Sequence, residues 1–130
     1  MKQIILNADD FGRHTLINRA VERGVADGIL RSATLMPGGT AFDDAAELAA
    51  RTPALGVGIH LTLVNGNTVL PPAEIPSLVT EAGVFVDDHT AFAVRLLRGA
   101  VSLNEVRAEL AAQLRRVEAA GIHPTHADSH

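Results

Sequence analysis

The chain has 130 residues, 47% of them hydrophobic, which fits one domain and is enough to bury a core. A formal charge of −4 and the absence of cysteine exclude disulfides, thiolate metal sites and a cysteine nucleophile, and offer no basic face for nucleic acid or an anionic membrane. The four phenylalanines leave no tryptophan or tyrosine platform for stacking a sugar, and no apolar run reaches the ~18 residues of a membrane span. Met1-Lys2-Gln3 ahead of Ile4-Ile5-Leu6 is too short and too early for a signal peptide, so a cytoplasmic protein is expected.

Residues 3–8 form a continuous apolar run bounded by acids and read as a strand buried on both faces. Residues 15–27 carry Leu16, Ile17, Ala20, Val21 and Val25 at helical spacing, and Gly28 suits the stop. Ser32 to Met36 reads as a second strand closed by Pro37-Gly38-Gly39. Ala41 to Arg51 reads as a second helix with Phe42, Ala45, Ala46, Leu48 and Ala49 on one face. Leu55 to Leu63 reads as a third strand. The stretch 64–90, with Asn65-Gly66-Asn67, Pro71-Pro72 and Pro76, reads as an irregular, linker-like loop with a small hairpin around Gly83 to Val86. Thr90 to Leu97 is a helix. Ser102 caps a longer one through Ala120, with Glu105 at the capping-box position, and Thr125 to Asp128 begins another strand. Strands alternating with helices predict a parallel α/β sheet with helical crossovers, in a single domain over 1–130.

Three places carry candidate chemistry. Asp9-Asp10 follows the first strand, at the carboxyl end where α/β sheets collect catalytic groups. One acid there suits a metal and its neighbour a water proton; the competing reading is a helix N-cap. His60 sits near the end of the third strand, behind Gly56 and Gly58, which allow close approach. It suits a metal, or equally a hydrogen-bonded core position. His126, Asp128 and His130 are two apart and line one side of a strand if that strand continues. A divalent ion accepts imidazole nitrogen and carboxylate oxygen, and Asp128 also suits orienting an imidazole through its other nitrogen. The competing reading is a frayed polar tail. His14, His89 and His123 read as surface or loop residues, and Asp43-Asp44 and Asp87-Asp88 as solvated caps.

Asn7-Ala8-Asp9-Asp10-Phe11-Gly12, Ser32-Ala33-Thr34-Leu35-Met36, Gly56-Val57-Gly58-Ile59-His60-Leu61-Thr62 and Thr125-His126-Ala127-Asp128-Ser129-His130, in this order, resemble the YdjC-like family of carbohydrate deacetylases over essentially the whole chain. The resemblance implies the N-terminal half of an irregular (β/α) barrel related to polysaccharide deacetylases. It implies removal of N-acetyl groups from amino sugars, such as chitooligosaccharides or a glucosaminyl lipid head group, with magnesium or zinc. Carried over, it makes Asp10, His60 and His130 the metal ligands and Asp9 the general base. His126 becomes a neighbouring group or proton donor, with Asp128 supporting it. Family members continue past the final histidine, so the opposite wall of the site and part of the core are expected to be missing. Pairing of two half-barrels into a homodimer is expected on that ground. Three other readings compete. One is a non-catalytic metal- or sugar-binding half-domain, and another a structural half-domain without metal. A phosphoesterase is disfavoured because no Arg or Lys appears to hold phosphate beside the acidic motif.

Overall fold

The computed structural model describes residue 2 and residues 4–130. Four strands, β1 (Asn7–Phe11), β2 (Ser32–Leu35), β3 (Gly56–Leu61) and β4 (Ala127–Ser129), form one parallel sheet in the order β1-β2-β3-β4. Helix α1 (Thr15–Ala26) joins the first two strands and α2 (Phe42–Ala50) the next two. The last crossover holds a short 3-10 turn at Pro72–Glu74, then α3 (His89–Leu97) and α4 (Leu103–Ala119). Sheet and helices make the half-barrel that alternating elements predict.

The first strand lies further along than expected. Pairing begins at Asn7 with Ser32, while Ile4, Ile5 and Leu6 precede β1 and are 86%, 82% and 52% exposed. Continuous apolar character suggested burial on both faces, but no described element covers this segment. Residue 3 of the expected strand lies outside the described residues.

Alternation along the strands separates two faces. Phe11, Ala33, Leu35, Val57 and Ile59 pack with Val21 of α1, Phe42, Ala45 and Leu48 of α2, and Val117 of α4. Burial of such side chains stabilises the fold by about 1.5–3 kcal/mol each, before the entropy of ordering them. The intervening positions, Asn7, Ser32, Thr34, His60, His126 and Asp128, are polar and linked by hydrogen bonds across the opposite face.

The region 64–90 is more than a linker. Ile75, Leu78 and Phe85 are fully buried and form a second core with Val101, against which Phe92 of α3 and Val106 of α4 pack. The small hairpin is present as an antiparallel bridge between Val79 and Phe85. At the start of α4, Ser102 Oγ accepts from the Glu105 amide at 3.4 Å. The expected reciprocal bond is absent: Glu105 instead accepts from the Ser77 amide, and Ser77 Oγ accepts from the Ser102 amide. The capping groups tie the helix to this second core rather than to themselves.

Candidate active site

The register of β1 against β2 shifts between Ala8 and Phe11, a bulge that falls on the acidic pair. Asp10 has φ of 58°, left-handed for a residue with a side chain. The bulge breaks simple alternation: Asp9 stays with Asn7, whose Nδ2 donates to Asp9 Oδ1 at 2.8 Å, while Asp10 turns toward His60 and His130. The helix-cap reading of the pair does not hold, because α1 is capped by His14, whose Nδ1 accepts from the Leu16 amide.

Among the described residues, one group places an oxygen of Asp10 and a nitrogen each of His60 and His130 within 4.8 Å of one another. Asp10 Oδ1 lies 3.4 Å from His60 Nε2 and 3.3 Å from His130 Nδ1, and the two nitrogens are 3.0 Å apart. His60 is 2% exposed. Its Nδ1 is 2.7 Å from Asp128 Oδ1, and an ionised carboxylate only accepts, so Nδ1 carries hydrogen; the tautomer so selected has its bare nitrogen, Nε2, turned inward. His130 Nδ1 then donates to that nitrogen, leaving its own Nε2 bare toward Arg13 at 3.5 Å. Hydrogen bonds thus run one way, from Arg13 through His130 and His60 to Asp128.

Asp10 Oδ1 is the exception: it is buried and has no hydrogen-bond partner. An orphaned carboxylate oxygen facing two imidazoles is costly in isolation and suits a cation. The spacing agrees, since two ligands about 2.0–2.1 Å from one ion stand roughly 2.9–3.4 Å apart between octahedral and tetrahedral angles. The donor set of one carboxylate and two imidazoles fits zinc and is open to magnesium. Burial lowers the pKa of His130 below the usual imidazole value; the charge of Asp10 opposes this, and His60, Arg13 and His89 reinforce it. The ring is therefore mostly neutral at pH 7, the form that offers a lone pair.

The other expected groups sit beside this triplet. His126 touches Ser32 Oγ and Asn7 Oδ1 through Nε2 at 3.3 and 3.2 Å, and Thr125 Oγ1 through Nδ1 at 2.8 Å. Asp128 does not support His126 as expected. It supports His60, and its other oxygen accepts from Thr34 Oγ1 at 2.8 Å and Asn7 Nδ2 at 3.2 Å. Gly58 is needed by the chain itself: a Cβ there would stand 2.7 Å from the His126 ring and carbonyl oxygen. Asn7 and Thr34, unassigned in the sequence, connect the group; both fall on the polar phase of their strands, which is the signal that finds them. His89, read as a surface residue, is exposed, but its ring stacks on that of His130 with centroids 5.9 Å apart. Arg13 corrects the view that no cation accompanies the acidic motif: its Nη1 is 3.1 Å from Asp10 Oδ2.

A parallel half-barrel that gathers acids and imidazoles at the carboxyl ends of its strands places this chain in the (β/α)-barrel class. A model of the YdjC-like protein family matches residues 3–130, and the chain belongs to that family. It is 43% identical over 126 residues to a carbohydrate deacetylase of Geobacillus stearothermophilus, covering 97% of this chain and 48% of that protein. It is 41% identical over 130 residues to a carbohydrate deacetylase of Brevibacillus brevis, covering 98% of this chain and 48% of that one. A crystal structure of a protein from Enterococcus faecalis V583, provisionally named a cellobiose-phosphate cleavage protein, superposes with a TM-score of 0.84 at 36% identity, over 97% of this chain and 47% of that one. The chain therefore spans about half the length of the curated relatives it matches. No helix among the described residues is long and apolar enough to cross a membrane.

Proposed function

We propose that this chain supplies the metal site and the water-activating side of an N-deacetylase that acts on acetylated amino sugars. The observation that carries the reading is the orphaned Asp10 Oδ1 facing His60 Nε2 and His130 Nδ1. Asp10, His60 and His130 hold the divalent ion, magnesium or zinc. When bound, such an ion acidifies water toward a pKa near ~7 and polarises the acetyl carbonyl.

Asp9 takes the proton of the attacking water, a contribution of about 10²–10⁴ in rate. Asn7 holds that carboxylate by its Nδ2 and touches His126 Nε2 with its Oδ1, so one amide links the proton acceptor to the proton donor. Water oxygen bonds to the acetyl carbon and the C–N bond breaks. A protonated His126 gives its proton to the departing amine, leaving acetate and a free amino sugar. The relatives named carbohydrate deacetylases support this substrate class. Two chains are expected to pair, since β4 is an edge strand among the described residues and Leu110 and Leu114 of α4 line an open apolar groove beside it.

The test is metal content and acetate release measured together. The chain, and a form extended to the length of its relatives, are loaded with zinc or magnesium and offered N-acetylglucosamine oligomers. Metal in both and acetate from at least the longer form is the expected outcome. Metal binding and acetate release that both survive Asp10→Ala would overturn the assignment.

A further inference from the structure

We infer that Arg13 is a positioning residue that occupies one oxygen of Asp10, leaves the cation only the other, and weakens its hold. The inference rests on the metal-site reading above. Arg13 Nη1 is 3.1 Å from Asp10 Oδ2, and Nη2 donates to Asn65 Oδ1 at 2.9 Å. The guanidinium thus bridges the turn after β1 and the loop after β3. Both anchors are stiff. The Arg13 amide donates to the Asp10 carbonyl at 2.9 Å, and Thr40 Oγ1 donates to the Arg13 carbonyl at 2.8 Å. Gly39 lies so close to the Gly12 carbonyl that no side chain fits between them. Asn65 is left-handed at φ 54°, and its amide donates to Val86 O at 2.8 Å.

This arrangement has two consequences. With Oδ2 taken by Arg13, Asp10 can offer only Oδ1, the orphaned oxygen, so the carboxylate binds through one atom. The fixed positive charge also sits beside the cation position. Arg13 opposes the ion on the His130 side as well. A guanidinium only donates, so its 3.5 Å contact with His130 Nε2 requires that nitrogen bare and Nδ1 protonated in the neutral ring. A cation at Nδ1 needs the hydrogen moved to Nε2, where it faces Arg13. Holding one carboxylate rotamer favours binding, but a unit charge a few ångströms from a divalent ion outweighs it. The net effect is a looser, less electron-rich site.

The test uses the chain stripped of metal and titrated with Co²⁺, followed by heat and by visible absorption, with folding checked by circular dichroism. Arg13→Met should tighten binding on the order of tenfold or more, as the opposing charge is lost. It should also weaken the visible band, as the second carboxylate oxygen enters and coordination rises. Arg13→Lys restores the charge and should return the affinity toward wild type. Asn65→Ala, which frees one arm of the guanidinium, should shift both readings in the Arg13→Met direction by less, and serves if Arg13→Met does not fold. Unchanged or weaker binding in folded Arg13→Met, or in Asn65→Ala if that variant must stand in, would overturn the role of Arg13 while leaving the metal site standing. No binding by wild type would remove both, and wild-type binding lost in Asp10→Asn separates the two failures.

Discussion

His60 Nδ1 lies 2.7 Å from Asp128 Oδ1, and this one hydrogen bond decides which nitrogen of a buried ring faces Asp10 and His130. The two residues are 68 apart in sequence and meet because β4 pairs with β3 in register, His60 opposite Asp128. A carboxylate behind a metal-binding imidazole fixes its tautomer and raises its basicity. Asp128→Ala should therefore lower zinc affinity by about 10–100-fold while the fold survives, with Asp128→Asn less severe because the amide oxygen still accepts. Calorimetric titration checks this; full affinity in Asp128→Ala would mean that His60 is not held for a metal.

The left-handed backbone of Asp10 makes a second, independent prediction. An L residue with a Cβ is strained at φ 58°, aspartate less than most because it tolerates this region. Asp10→Gly should be more stable than Asp10→Ala by about 1 kcal/mol, although neither retains the ligand oxygen. Urea unfolding of the two variants gives the difference, and equal midpoints would mean that the bulge relaxes when the carboxylate is removed.

Much of this site was legible from spacing, and the parts that were not have separate physical causes. His126, Asp128 and His130 fall on one face because β4 alternates regularly, as the sequence implies. Regular alternation would send Asp10 to the face opposite Asp9; a bulge brings it round to His60 and His130, and a bulge leaves no mark in a hydrophobic pattern. Ile4-Ile5-Leu6 misled because an apolar run is the same signal whether or not something covers it. Region 64–90 hid a second core because Ile75, Leu78 and Phe85 follow neither helical nor strand periodicity. Arg13 stands only three residues from Asp10, so that pairing is local, whereas its second partner, Asn65, is 52 residues away and is brought to it only by the folded chain.

Gly58 carries the close approach of β3 and β4. A methyl group there would meet the His126 ring and carbonyl oxygen at 2.7 Å, too near for any ordinary contact. The carbonyl belongs to the strand pairing, accepting from the Ile59 amide at 2.9 Å, and cannot withdraw without loss. Gly58→Ala should cost about 1–3 kcal/mol and displace His126 from Asn7 and Ser32. A histidine NMR signal unchanged in shift and an unaltered urea midpoint would together contradict this.

Glu109 links the second core to the carboxyl end of the sheet, where the candidate metal ligands gather. It is fully buried on α4, and its carboxylate accepts from the Val69 and Leu70 amides and from Gln113 Nε2, each at 2.9 Å. Gln113 in turn donates to Thr62 O and accepts from the Thr62 amide, just beyond His60. The pair therefore clamps both ends of the loop that carries Asn65. Glu109→Ala leaves the part-buried Val69 and Leu70 amides without their acceptor and removes one of the two bonds of the buried Gln113 Nε2, and should destabilise the chain by about 2–3 kcal/mol. Glu109→Gln keeps the shape but turns an amide donor against one of the backbone amides, and should recover only part of that loss. If the clamp positions Asn65, Glu109→Gln should also shift Co²⁺ affinity in the same direction as Asn65→Ala. Loss of stability with unchanged affinity would confine Glu109 to the second core.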